Sequence, residues 1–143
     1  MRQYPNILLV DDDVEDCMII KDAFDDSGHA FLIHFEQDGE RAISYLQKSL
    51  LSQTLPSLII LDLNMPRMNG RQTLSFLKND RAFADIPVII FSTSLNQFEH
   101  DQCLALGAHS YVIKPMTYKE ALEVVAYFYK TATELSTGIT RPE

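Results

Sequence analysis

Asp11, Asp12 and Asp13 follow directly on the apolar run Ile7 to Val10, and Glu15 and Asp16 come close behind. Like charges crowded in this way repel one another, so the cluster calls for a cation. Other polar groups stand at the ends of other short apolar runs: Asp62 after Leu58 to Leu61, Ser92 and Thr93 after Val88 to Phe91, and Lys114 after Tyr111 to Ile113. If the first and third runs are neighbours, Asp11, Asp12 and Asp62 form an oxygen-rich pocket. Such a pocket suits Mg²⁺, which prefers an octahedral shell and uses one or two carboxylates beside water or phosphate oxygens. Lys114 adds a second positive charge. Two cations and the amino end of a helix would stabilise a phosphoryl group, which is the chemistry these residue types point to.

The acids of the cluster divide. Asp13 with Asp16 three residues on has the form of a helix N-cap, and Glu15 and Asp16 favour the positive end of a helix dipole. Asp13, Glu15 and Asp16 are therefore read as a helix start, which leaves Asp11 and Asp12 for the metal. Taken alone, Asp62 would be a turn or cap residue and Lys114 a solvated surface lysine; the complete set argues otherwise. His29, His34, His100 and His109 share no ligand spacing and read as surface or packing residues. Cys17 and Cys103 form no C-x-x-C and read as buried, reduced packing residues.

Positioning these groups requires a particular architecture. Strands are expected at Ile7 to Val10, Phe31 to Phe35, Leu58 to Leu61, Val88 to Phe91 and Tyr111 to Ile113. The segments between them carry apolar residues at helical spacing, clearest at Tyr118, Ala121, Leu122, Val125, Phe128 and Tyr129. Continuous apolar strands are buried on both faces, so the pattern predicts a doubly wound (βα)5 α/β domain with a five-stranded parallel sheet and helices on both faces. Ligands of such sheets sit outside the carboxyl ends of the strands, where the strand order reverses. Asp38-Gly39, Pro66, Asn69-Gly70, Pro87 and Pro115 punctuate the elements. Residues 1–132 are expected to form this one domain, and residues 133–143, rich in Thr, Ser, Gly and Pro, a flexible tail.

Composition narrows the function. The chain has 143 residues, room for one domain, and a formal net charge of -8 with no run of lysine or arginine. Direct nucleic-acid binding and docking to an anionic membrane are disfavoured. With neither a long apolar run nor the h-region of a signal peptide, the expected location is the cytoplasm.

The stretches ILLVDDD, LIILDLNMPRMNG, IPVIIFSTS and GAHSYVIKP resemble, in order and spacing, the receiver domains of two-component response regulators, from about Asn6 to Tyr129. The resemblance implies a flavodoxin-like fold, with Asp62 as the phosphoacceptor and Asp12, Asp62 and the backbone carbonyl of Asn64 as Mg²⁺ ligands. It implies further that Asp11 holds the ion through water, Lys114 pairs with the phosphoryl group, Ser92 is the switch hydroxyl and Tyr111 the aromatic that turns inward. A cis Lys114-Pro115 bond is also implied. Departures include Ser92 for the commoner threonine, Asn69 for a frequent aspartate and Met116 for a common phenylalanine.

A protein of this kind takes a phosphoryl group from a sensor histidine kinase, catalyses only its own phosphorylation and dephosphorylation, and changes an interface around the fourth helix, fifth strand and fifth helix. With no output domain after the fifth helix, the expectation is a stand-alone receiver. It would bind a downstream protein or relay the group to a histidine phosphotransfer protein. A finer resemblance, carried by LDLNMPRMNGRQTL and FSTS, is to regulators paired with bacterial phytochrome kinases, and it implies a donor of that type. Some such relatives are homodimers, and Tyr118, Tyr127, Phe128 and Tyr129 could supply the surface, although apolar helix stripes ordinarily face the core. An aspartate-based phosphohydrolase would want a second acid where Asn64 stands. A flavin-binding relative would want a glycine- or hydroxyl-rich loop where the acids follow the first strand.

Overall fold

The computed structural model describes residues 5–136, with side chains through residue 134. Within them the chain alternates strand and helix: β1 (Asn6–Val10), α1 (Val14–Ser27), β2 (Leu32–Glu36), α2 (Gly39–Ser52), β3 (Leu58–Asp62), α3 (Gly70–Lys78), β4 (Val88–Ser92), α4 (Gln97–Ala105), β5 (Ser110–Ile113) and α5 (Tyr118–Ser136). The strands form one parallel sheet in the order β2-β1-β3-β4-β5. The order reverses between β1 and β3, which opens the crevice where such sheets bind ligands.

Side chains of a strand alternate between faces, and both faces of this sheet are covered. Leu8, Val10, Ile59, Leu61, Val88 and Ile90 pack with Leu46 of α2, Leu74 and Leu77 of α3 and Cys103 of α4. Their neighbours Ile7, Leu9, Leu58, Ile60, Ile89 and Phe91 pack instead with Cys17, Ile20 and Phe24 of α1 and Ala121, Val125 and Phe128 of α5. Each of the two cysteines thus lies in a core layer, free and buried. Register pairs Val10 with Leu61, Asp62 with Phe91 and Ser92 with Ile113. One rim of the sheet therefore carries Asp11, Asp62, Ser92 and Lys114 together.

The turns after the strands are helix starts. Asp13 accepts from the backbone N–H of Glu15 and Asp16, Asp38 from that of Arg41, and Asn96 from that of Glu99. Asn69 and Gln72 form a reciprocal capping box at α3. Gly70 follows against the end of β3. A Cβ there would lie 2.3 Å from the Asp62 carbonyl oxygen and 2.7 Å from Leu63 Cα, so glycine alone lets α3 approach the strand so closely.

Several expectations are corrected. The second strand starts at Leu32, and Phe31 just before it packs on Phe24, ring centroids 4.7 Å apart. The helix α5 continues to Ser136, so residues 133–136 belong to it; Thr133 Oγ1 donates to the Tyr129 carbonyl one turn earlier. Residues 137–143 of the expected tail lie outside the described residues. Lys114-Pro115 is trans, since no described peptide bond is cis; trans is the lower-energy isomer of an X-Pro bond by about 0.5–1 kcal/mol. As the apolar stripe of α5 suggests, Phe128 is fully buried and meets the Phe91 ring edge-on, whereas Tyr118 and Tyr127 remain partly exposed. No described helix is long and apolar enough to cross a membrane.

Candidate functional site

Asp11 ends the apolar run of β1 and is buried; Asp62 closes β3 and is buried; Asp12 is exposed at the mouth of the crevice. One ligand oxygen from each lies within 4.8 Å of the others. Lys114, just past β5, reaches back across the rim. Its Nζ stands 2.8 Å from Asp11 Oδ2, 2.8 Å from Asp16 Oδ2 and 3.6 Å from Asp62 Oδ1. The ammonium also lies 5.7 Å from the centre of the Phe91 ring.

The electrostatics show a site short of positive charge. Burial, reinforced by the negative charge of Asp11, pushes the Asp62 carboxyl up to about 7, against the opposing pull of Lys114 and the Asn64 backbone amide. Burial raises the Asp11 pKa as well. Lys114 is moved the other way in consequence. Burial disfavours its ammonium, yet the Asp11 and Asp16 carboxylates in contact with it outweigh that and hold its pKa above the ordinary lysine value. Asp11 Oδ1 accepts the Asp13 N–H at 2.9 Å, but Asp11 Oδ2 is buried with Lys114 as its charge partner and no well-aligned hydrogen bond. Three carboxylates with an under-served buried oxygen form an all-oxygen donor set, and a hard divalent cation fits it. Cys17 lies beneath, its Sγ 3.7 Å from the Asp11 carbonyl oxygen; burial and the Asp11 charge push its thiol up to about 12, which makes it a packing group and not a ligand.

Two hydroxyls sit on the far side of the site. Ser92 Oγ, buried at the end of β4, donates to the Ser94 carbonyl at 3.2 Å, and Tyr111 OH donates to that same oxygen at 2.8 Å. Tyr111 is half-buried, with its ring 5.5 Å from that of His100. The histidines pack as the sequence suggested: His34 stacks on Tyr45 and His29 on Tyr129. Asp11, Asp12, Asp62, Lys114, Ser92 and Tyr111 thus gather at one rim. Sequence reasoning missed two participants. Asp16 reads in the sequence only as part of the start of α1, and its contact with Lys114 spans 98 residues; the Ser94 carbonyl is a backbone group and carries no sequence signal.

The fold, the crevice at the β1/β3 reversal and this charged rim are those of a receiver, and the chain belongs to the response regulator receiver domain family, whose sequence profile matches residues 7–126. It is therefore a receiver of two-component signalling with a flavodoxin-like fold. The chain is 31% identical over 120 residues to the probable methanogenesis regulatory protein FilR2 of Methanothrix harundinacea, covering 83% of this chain and 77% of that protein. It is 29% identical over 121 residues to response regulator Rcp1 of Synechocystis sp., covering 83% and 82%. The Mn²⁺-bound structure of Rcp1 aligns with a TM-score of 0.79 at 26% identity, over 97% of this chain and 99% of that one. The phosphorylated cyanobacterial phytochrome response regulator RcpA aligns with a TM-score of 0.83 at 27% identity, over 99% and 100%.

Proposed function

We propose that this receiver accepts a phosphoryl group from a sensor histidine kinase onto Asp62 in a Mg²⁺-dependent reaction, and that the modification alters a protein-binding face built from α4, β5 and α5. The observation that carries the reading is the setting of Asp62. It is a buried carboxylate at the end of a central strand, grouped with Asp11 and Asp12 and 3.6 Å from Lys114 Nζ.

In the transfer, an Asp62 carboxylate oxygen forms a P–O bond as the P–N bond of the kinase phosphohistidine breaks, and the imidazole leaves with the electron pair. The attacking carboxylate must be ionised and must meet an anionic donor. Burial of Asp62 opposes both, and the Lys114 ammonium offsets that cost from one side. Mg²⁺ held by Asp12, Asp62 and the Asn64 backbone carbonyl, with Asp11 acting through water, would supply the remaining positive charge. Phosphoryl transfer asks mainly for positioning and charge neutralisation, so the receiver can promote its own modification without a general base.

Ser92 and Tyr111 connect the site to the surface. New phosphoryl oxygens on Asp62 would compete with the Ser94 carbonyl for the Ser92 hydroxyl, and a shift there frees the Tyr111 hydroxyl bound to the same oxygen. Tyr111 then turns inward and the face around β5 changes, biasing a two-state equilibrium that a downstream protein reads. The likeness to RcpA, a phytochrome response regulator, supports a phytochrome-type kinase as the donor, and we set the exchange in the cytoplasm. Labelling with radioactive acetyl phosphate and Mg²⁺ tests the acceptor. Asp62→Asn is expected to fold and take no label; retained label would overturn the assignment.

A further inference from the structure

Asp16 sits in the first turn of α1, yet it does little capping. The Asp13 side chain accepts the backbone N–H groups of Glu15 and Asp16, while Asp16 Oδ2 accepts a hydrogen bond from Lys114 Nζ at 2.8 Å. Three carboxylates contact that ammonium: Asp11, Asp16 and Asp62. Two of them belong to the Asp11, Asp12 and Asp62 group that fits a divalent cation, and Asp16 does not. With that group engaged by a cation, Asp11 and Asp62 are shared between two positive centres. Lys114 is only 9% exposed, so little water screens the repulsion between them. Asp16 is then the one contacting carboxylate, among the described residues, that serves the ammonium alone. The space beside it is lined by Ile19, Ile20, Phe91 and Pro115, whose side chains offer Lys114 no acceptor.

We infer that Asp16 is a positioning residue that retains the Lys114 ammonium beside Asp62 while a divalent cation occupies the Asp11, Asp12 and Asp62 site. Lysine and metal can then act on one phosphoryl group together. Without Asp16, Lys114 closes on Asp11 and Asp62 and competes with the cation for both. The consequence for phosphoryl transfer rests on Asp62 as the acceptor; the consequence for metal binding does not.

Calorimetric titration of the full chain with Mg²⁺ separates this from a simple charge effect. For two charged residues in direct contact, Asp16→Asn is expected to weaken Mg²⁺ binding about fivefold when Lys114 is present, and distinctly less in a Lys114→Met background, where no ammonium competes. Loss of one negative charge alone predicts the reverse order, because an Asp16 without its lysine would attract the metal more strongly. An effect as large or larger in the Lys114→Met background, or unchanged affinity in Asp16→Asn, would overturn the inference. Acetyl phosphate labelling at saturating Mg²⁺ provides the second measurement, with thermal melting to confirm that each variant folds. Asp16→Asn should slow labelling, Asp16→Glu should restore most of the rate, and Glu15→Gln, an exposed acid next door, should leave it unchanged. Equal rates for Asp16→Asn and the unaltered protein would also overturn the inference. If the unaltered protein takes no label, the acceptor reading fails on its own, and the Mg²⁺ titrations still decide the role of Asp16.

Discussion

Two acid-rich turns, β1 to α1 and β2 to α2, look alike in sequence and do different work. In the β2–α2 turn Asp38 is buried, its Oδ1 caps Arg41 N at 2.8 Å, and its Oδ2 lies 3.6 Å from both Arg41 Nε and Arg67 Nη1. The carboxylate is satisfied within its own neighbourhood and has no charge to spare. In the β1–α1 turn the labour is divided. Asp13 caps the helix, while Asp11, Asp12 and Asp16 face a shared crevice with Asp62 and Lys114. The difference comes from position in the sheet. Strand β2 is an edge, whereas β1 adjoins β3 at the reversal of strand order, where ends from separate chain segments meet. A cap and a metal site use the same residue type; the neighbours decide which it becomes.

The comparison can be broken or sharpened by experiment, and the largest contrast is in phosphoryl labelling. Asp62→Asn should abolish it, whereas Asp38→Asn should label at the unaltered rate; loss in both would erase the distinction between the turns. Gly70→Ala comes next. A methyl group driven to 2.3 Å from the Asp62 carbonyl oxygen must displace backbone, and the overpacking should cost about 1–3 kcal/mol in urea unfolding and slow labelling as well. Mg²⁺ should stabilise only through the β1–α1 side: at about ten times its Kd it adds roughly 1.4 kcal/mol, and Asp12→Asn should lose most of that gain in a thermal melt. The smallest effect is expected at the other turn. Asp38→Ala removes one helix cap, worth about 1 kcal/mol, and should leave Mg²⁺ affinity unchanged in titration.

Much of this was legible from residues alone. The runs Leu58 to Leu61 and Val88 to Phe91 are uninterrupted apolar stretches, and strands buried on both faces can hardly read otherwise. Asp11, Asp12, Asp62 and Lys114 were legible because each directly follows such a run, and parallel register brings those ends to one rim. Asp16 was hidden by its own suitability for a helix start: the local rule accounted for it, and the Lys114 contact exists only after β1 and β5 share a sheet. Phe128 is a different case. Its spacing on α5 fits both a core stripe and a surface, and only packing against Phe91 decides between them. The end of α5 was obscured by Thr133, a residue of modest helix propensity whose hydroxyl finds the carbonyl of the preceding turn.

Burial differs sharply across the sheet. Every residue of β3 and β4 is buried, whereas none of β5 is. On the proposed reading the acceptor Asp62 thus ends a fully buried strand, while Tyr111 and Lys114 stand on or beside an edge strand that is only partly buried. Strands clamped on both sides have no slack with which to register a new charge at their tips. On that reading, strain generated there would travel sideways to β5, and a stimulus written at the centre of the sheet would be legible at its edge.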